Sequence, residues 1–274
     1  MAGETYALDR VAPSHVLSAA GLVGQGRVYD LGLVLGADVP QGVEGEFHPY
    51  TFRWTHLPDP AVAPGEYQYS AEAITCTPHI GTHIDGLAHV ASGSTMHGGA
   101  SVDELRTDWG FRRYGMETVP PIVTRAAVFD VAGQVTDPLP DGYEVTVEDL
   151  EACGVPVQPG DAVLVRTGKV REYAVDNQAY QRAQPGVGRD AAIWLYEQGM
   201  VALGTDTTGT EPLPFRDATR TTHQAMLVER GVHLIENLYL EELAADAVPA
   251  AMFVCLPLRI AGATGSWVRP VAIV

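Results

Sequence analysis

An α/β domain around a mostly buried sheet is what the 274 residues predict, and two observations carry the prediction. Apolar, β-rich runs recur at 122–131, 162–167, 201–205, 232–235, 251–257 and 267–274. Helical patterns fall between them at 146–152, 189–198, 217–230 and 239–245. Strands that alternate with helices bury both kinds of element by stacking the helices on a sheet. With 46% hydrophobic residues the chain can bury a substantial core, and one domain over 1–274 is expected.

Taken in order, residues 13–25 read as a short helix leading into the Gly26–Gly32 segment. The Pro/Gly-rich stretch 36–66 reads as irregular with short strands. Thr146, followed three residues later by Asp149, has the pattern of a helix start, and Gly199 and Gly231 have that of helix stops. Pro138-Leu139-Pro140 and Pro212-Leu213-Pro214 read as loops rather than domain linkers.

Several strands end in polar residues, as they do where a site is built at the edge of an α/β sheet. Arg166 and Thr167 leave one strand, Asp206 closes another with Glu211 shortly after, and Glu236 closes the run Val232-His233-Leu234-Ile235. His223 lies in the first turns of a helix capped by Thr221 or Thr222. Each of these residues, taken alone, reads as a cap or a solvated polar group.

Composition excludes whole classes of function. The formal charge is −17, with sixteen arginines and the single lysine Lys169, so the basic surface that nucleic acid requires is missing. No apolar run reaches transmembrane length, and the first residues lack the basic and apolar regions of a signal peptide, so a cytoplasmic protein with no membrane partner is expected. Cys76, Cys153 and Cys255 are widely spaced and odd in number, which argues for packed thiols over a disulfide framework. There is no G-x-S-x-G elbow, no H-E-x-x-H and no complete P-loop. Pro185-Gly186-Val187-Gly188 follows no buried strand, which rejects a dinucleotide site.

The chemistry concentrates in Pro78-His79-Ile80-Gly81-Thr82-His83-Ile84-Asp85-Gly86-Leu87-Ala88-His89. Four of the nine histidines lie between His79 and His97. In an extended chain His79, His83 and Asp85 point to one face, whereas a helix would swing Asp85 away. A straight strand holds the two histidines roughly 13 Å apart, yet ligands of one metal converge to about 2 Å from it. The chain must therefore bend, and Gly81 is the natural place. Mixed imidazole and carboxylate donors suit manganese or zinc better than calcium. His89 follows closely enough to act on whatever the metal holds. The pattern points to metal-assisted hydrolysis.

The spacing His79-x-Gly-Thr-His83-x-Asp85-x-x-x-His89 resembles the signature of a metal-dependent hydrolase family historically called the "putative cyclase" family. Kynurenine formamidase, isatin hydrolase and a trans-dienelactone hydrolase are among its members. Gly160–Gly168, Gly204–Thr207, His223, Gly231–Leu238 and Gly262–Pro270 are similar to later blocks of the family in the expected order. The resemblance implies a swivelling β/β/α architecture with a mixed sheet, assembled as a homo-oligomer such as a dimer or tetramer. It implies metal binding by His79, His83 and Asp85, joined by His223 and Glu236 where two ions bind, with Mn²⁺ favoured over Zn²⁺. It also implies His89 as catalytic acid/base. Gly86-Leu87-Ala88, Pro185-Gly186 and the Asp206-to-Glu211 segment look more like the trans-dienelactone hydrolase branch. Met96-His97-Gly98-Gly99 departs from the Tyr-Asn expected there.

The substrate expected is a small molecule with a lactone or cyclic amide carbonyl. An arylformamidase acting on N-formylkynurenine is the first alternative, and a non-catalytic metal or small-ligand binding protein is the alternative from another class. Phe47, Trp54 and Trp109 are candidate pocket residues, with core packing the stronger expectation.

Overall fold

The computed structural model describes residues 6–40 and 50–274. A nine-stranded mixed sheet runs in the order Val28–Asp30, Val271–Ile273, Ala250–Cys255, Ile122–Asp130, Ala162–Arg166, Ala202–Thr205, His233–Glu236, His83–Asp85, Gly265–Trp267. The four strands from Ile122–Asp130 to His233–Glu236 are mutually parallel, and the strands on either side pair antiparallel. Residues 162–166 and 202–205 are buried throughout, as parallel strands covered on both faces must be.

The expected α/β class with a mixed sheet is the one observed. Thr146 and Asp149 form a capping box before the helix Val147–Ala152, with Thr146 N–H donating to Asp149 Oδ2 at 2.9 Å. Local chemistry shortens three expected elements. The first helix, Pro13–Ala20, stops at Gly21, in a stretch whose closely spaced glycines disfavour helix. The run 267–274 splits into Gly265–Trp267 and Val271–Ile273, because Pro270 has no N–H for a ladder. The pattern at 217–230 yields a shorter helical stretch over 222–228, wound as a wide π-turn at Gln224–Val228. Asp217 Oδ1 accepts from Thr219 N–H at 2.9 Å, a local turn that competes with helix, and Thr221 Oγ1 caps Gln224 N–H at 3.1 Å.

Beyond the main sheet, Thr51–His56 and Ala71–Thr75 form an antiparallel arm that stands in solvent along much of its length, within and just past the stretch expected to be irregular.

Candidate metal centre

The site is assembled by strand pairing. His83–Asp85 lies between His233–Glu236 and Gly265–Trp267, with Glu236 opposite His83 and Gly265 opposite Asp85. The bend ahead of this strand falls at Gly81, whose φ of +61° belongs to the left-handed region, and a Cβ there would meet Leu35 Cδ2 at 2.4 Å. Gly81 also acts through its carbonyl, which accepts from His83 Nδ1–H at 2.8 Å. A carbonyl can only accept, so the bond fixes the tautomer of the neutral ring, whose Nε2 lone pair then faces the site.

His83 Nε2 lies 3.5 Å from Asp85 Oδ1 and 3.4 Å from Glu236 Oε2. His223 Nε2 lies 3.4 Å from Asp85 Oδ2 and 3.3 Å from Glu236 Oε1. Asp85 and Glu236 thus each turn one oxygen toward each histidine. Donors about 2.1 Å from one tetrahedral ion are about 3.4 Å apart, so each half has the spacing of an ion's coordination shell. His79 Nδ1 is 2.8 Å from Asp85 Oδ1, its Nε2 is 3.0 Å from Thr264 Oγ1, and its ring stacks on that of His89 at 3.9 Å. His79, His83 and Asp85 form one group of converging donors, and Asp85, His89 and His223 form another.

Asp85 is fully buried, and its Oδ2 accepts no hydrogen bond. A bare buried carboxylate oxygen costs several kcal/mol unless a cation meets it. Five neighbouring imidazole and carboxylate groups and one buried oxygen left unbonded fit a divalent cation.

The titration behaviour follows the same logic. Burial raises the Asp85 carboxyl, but the imidazoles of His89, His223 and His79 more than offset this and hold it well below its usual range. Burial lowers His83 and His223, yet Glu236 and Asp85 raise the first, and Glu211, Glu236 and Asp85 raise the second well above the ordinary value. For His89 burial prevails, and the imidazole is lowered to about 3. His89 Nε2 stands 3.9 Å from Asp85 Oδ2, so a neutral ring faces the ligand cluster.

All six residues singled out in the sequence, His79, His83, Asp85, His89, His223 and Glu236, are therefore brought together. Three groups escaped sequence reasoning in this role. Glu211 contacts His223 Nδ1, Thr210 Oγ1 donates to Glu236 Oε1 at 2.8 Å, and Thr264 meets His79. Hydroxyls and carboxylates in loops are too common to mark themselves, and only proximity in the fold reveals them.

Other candidates lie elsewhere. His97 is turned away and donates Nδ1–H to the Val228 carbonyl at 3.0 Å. Asp206 accepts from Thr167 and Gly168, and Arg166 pairs with Asp130, Asp137 and Glu241, so these strand ends brace the sheet. Lys169 is buried between Asp141 and Glu172. Cys76 belongs to neither donor group. Trp54 and Trp109 are neither core nor pocket residues: they are 50% and 94% exposed, on the solvent-facing arm and on a tight turn. Phe47 lies outside the described residues.

Residues 29–212 match the family described as "Putative cyclase". The chain belongs to this family. A kynurenine formamidase from Bordetella petrii is 25% identical over 250 residues, covering 89% of this chain and 97% of that protein. A crystal structure described as a novel cyclase superposes with a TM-score of 0.90 at 24% identity, covering 100% of this chain and 95% of its own. An isatin hydrolase from Ralstonia solanacearum superposes with a TM-score of 0.69 at 24% identity, covering 96% and 97%. The sheet is thus that of the cyclase family, and on it stand two groups of donors able to hold a metal ion. No helix among the described residues is long and apolar enough to cross a membrane.

Proposed function

We propose that this hydrolase opens a lactone or cyclic amide, with His79, His83, Asp85, His223 and Glu236 holding one or two divalent cations and His89 moving the proton. The observation that carries the reading is the unbonded, fully buried Asp85 Oδ2, faced by the ring nitrogens of His223 and His89. A bound cation, Mn²⁺ first and Zn²⁺ second, would polarise the scissile carbonyl and make a water acidic enough to attack near neutral pH.

The remaining steps belong to the chain's own side chains. His89, held neutral by partial desolvation, takes the proton of the attacking water at a ring nitrogen and returns it to the departing oxygen or nitrogen. The Gly81 carbonyl keeps His83 in the tautomer that presents Nε2. Glu236 and Asp85 stand within 3.5 Å of both His83 and His223.

Gly86-Leu87-Ala88 in the signature supports a substrate of the trans-dienelactone type. Arylformamidase activity is the second reading, favoured by the Bordetella petrii relative, which matches over nearly its whole length. The proposal extends to one domain over 1–274, acting in the cytoplasm as a homo-oligomer. Half-exposed Phe52, Trp54 and Ile74 on the arm support self-association.

The test is metal content by mass spectrometry for wild type and His83→Ala, followed by a panel of unsaturated lactone, isatin and N-formylkynurenine. Near-stoichiometric metal that vanishes in the variant, with turnover of a lactone or isatin, supports the proposal. Turnover of N-formylkynurenine alone selects the second reading. A wild-type protein that takes up no metal on titration defeats both.

A further inference from the structure

Gln184 has no exposed surface, and its carboxamide is engaged at both ends. Its Nε2 donates to the carbonyls of Gly209 and Glu211, the latter at 2.8 Å. Its Oε1 accepts from Thr208 N–H at 3.1 Å and Gly209 N–H at 3.2 Å. The backbone of Gln184 also exchanges a pair of hydrogen bonds with Leu213. One side chain thus supplies the partners that a neighbouring strand would give to the turn 208–211, which has no helix or strand of its own. Gly186 lets the two segments approach: a Cβ there would fall 2.3 Å from the Glu211 carbonyl carbon.

What the turn presents is specific. Two consecutive residues, both buried, reach two different donors of the metal centre. Thr210 holds Glu236 through Oε1, and Glu211 holds His223 through Nδ1. Glu236 Oε1 and His223 Nε2 are themselves 3.3 Å apart. Neither Thr210 nor Glu211 has a hydrogen bond to His79 or His83.

We propose that Gln184 is a positioning residue for one half of the metal centre. By clamping the 208–211 turn it fixes Thr210 and Glu211, and through them it sets where Glu236 Oε1 and His223 Nε2 stand. Without the clamp Glu211 regains rotamer freedom and His223 loses the partner that aims its Nε2. The inference rests on the divalent-cation reading above and adds an unequal effect: the half at His223, held by the turn through both Glu211 and Glu236 Oε1, depends on Gln184 more than the half at His79 and His83, which the turn reaches only through Glu236 Oε2.

The experiment titrates metal-stripped protein with Mn²⁺ by calorimetry and follows thermal unfolding of the same metal-free samples. Wild type is compared with Gln184→Ala, with the near-isosteric Thr210→Val, and with Thr210→Ser, which keeps the hydroxyl. His79→Ala identifies uptake at the other half. Loss of an outer partner lowers metal affinity about 10- to 100-fold. That weakening is expected in Gln184→Ala and Thr210→Val chiefly at the His223 half, with a smaller loss at the half Glu236 shares with His83, and Thr210→Ser keeps wild-type affinity. Mn²⁺ affinity unchanged in Thr210→Val overturns the proposal, even if Gln184→Ala fails to fold. So does equal weakening at both halves in step with a lower unfolding temperature, which marks a purely structural role. A wild type that takes up no Mn²⁺ overturns the cation reading itself, and the two failures are told apart in one data set.

Discussion

Glu236 stands opposite His83 across an antiparallel strand pair, and its Oε2 lies 3.4 Å from His83 Nε2. The contact is a matter of register. A slip of one residue between these strands would turn Glu236 to the other face of the sheet and dismantle the donor set. Ile84 and Ile235, also opposite each other and both fully buried, hold that register by packing. The hydrophobic core and the metal centre are therefore set by the same pairing.

The tight bend that feeds this strand is open to direct test. Gly81→Ala places a residue with a Cβ at a φ of +61° and drives that atom against the Leu35 side chain. Backbone strain of this kind costs about 1–3 kcal/mol. Urea denaturation should show a loss of that size. The displaced Gly81 carbonyl should also weaken metal uptake, because it fixes the His83 tautomer. A variant as stable as wild type would show that the bend tolerates a side chain.

His89→Ala separates binding from chemistry. The donors His79, His83, Asp85, His223 and Glu236 stay in place, so metal content should remain near the wild-type level. Removing a positioned acid/base should lower kcat by about 10²- to 10⁴-fold. Mass spectrometry and steady-state kinetics on one preparation check both halves of this expectation. Retained turnover would remove His89 from the reaction.

The parts of the site legible in the sequence are the local ones. His79, His83, Asp85 and His89 declare themselves because they are close along the chain and because no straight element lets them converge, which locates the bend at Gly81. Glu236 and His223 could be assigned only through the family resemblance, since their meeting with Asp85 depends on long-range pairing that periodicity does not encode. Gln184 carried no signal at all: a buried amide that serves a turn looks like any surface glutamine. The aromatic residues misled for the opposite reason. Trp54 and Trp109 have the composition of a core or a pocket, yet they sit on an exposed arm and turn, where only contacts across the fold, or with another chain, could give them a role.

Metal uptake should release protons. His83 and His223 both have raised pKa values in the metal-free protein, through Glu236, Asp85 and Glu211. A cation can take their Nε2 atoms only when those protons leave. Apparent affinity must therefore fall as pH drops below these raised values and rise with pH until both rings are neutral. Calorimetry of Mn²⁺ binding in two buffers of different ionisation enthalpy counts the protons. A count of zero at pH 6 would contradict the expected protonation of these rings.

Asp206 gives the fold a pH dependence that is independent of the metal. Its side chain is fully buried, and burial raises the carboxyl to about 6 even though Thr167 and Gly168 donate three hydrogen bonds to it. The folded pKa lies above the unfolded one, so the native state holds the proton more tightly. The stabilisation is complete below about pH 4 and is lost as pH rises through about 6. The difference from the ordinary value is worth about 3 kcal/mol. Asp206→Asn removes the titration while keeping a side chain of the same shape, although the hydrogen bond from Gly168 N–H loses its acceptor. Metal-free wild type and variant should therefore differ in the slope of unfolding free energy between pH 4 and 7 as well as in its level, with the wild type losing more as pH rises. Parallel pH profiles for the two proteins would mean that the Thr167 and Gly168 donors outweigh burial and that Asp206 is ionised throughout this range.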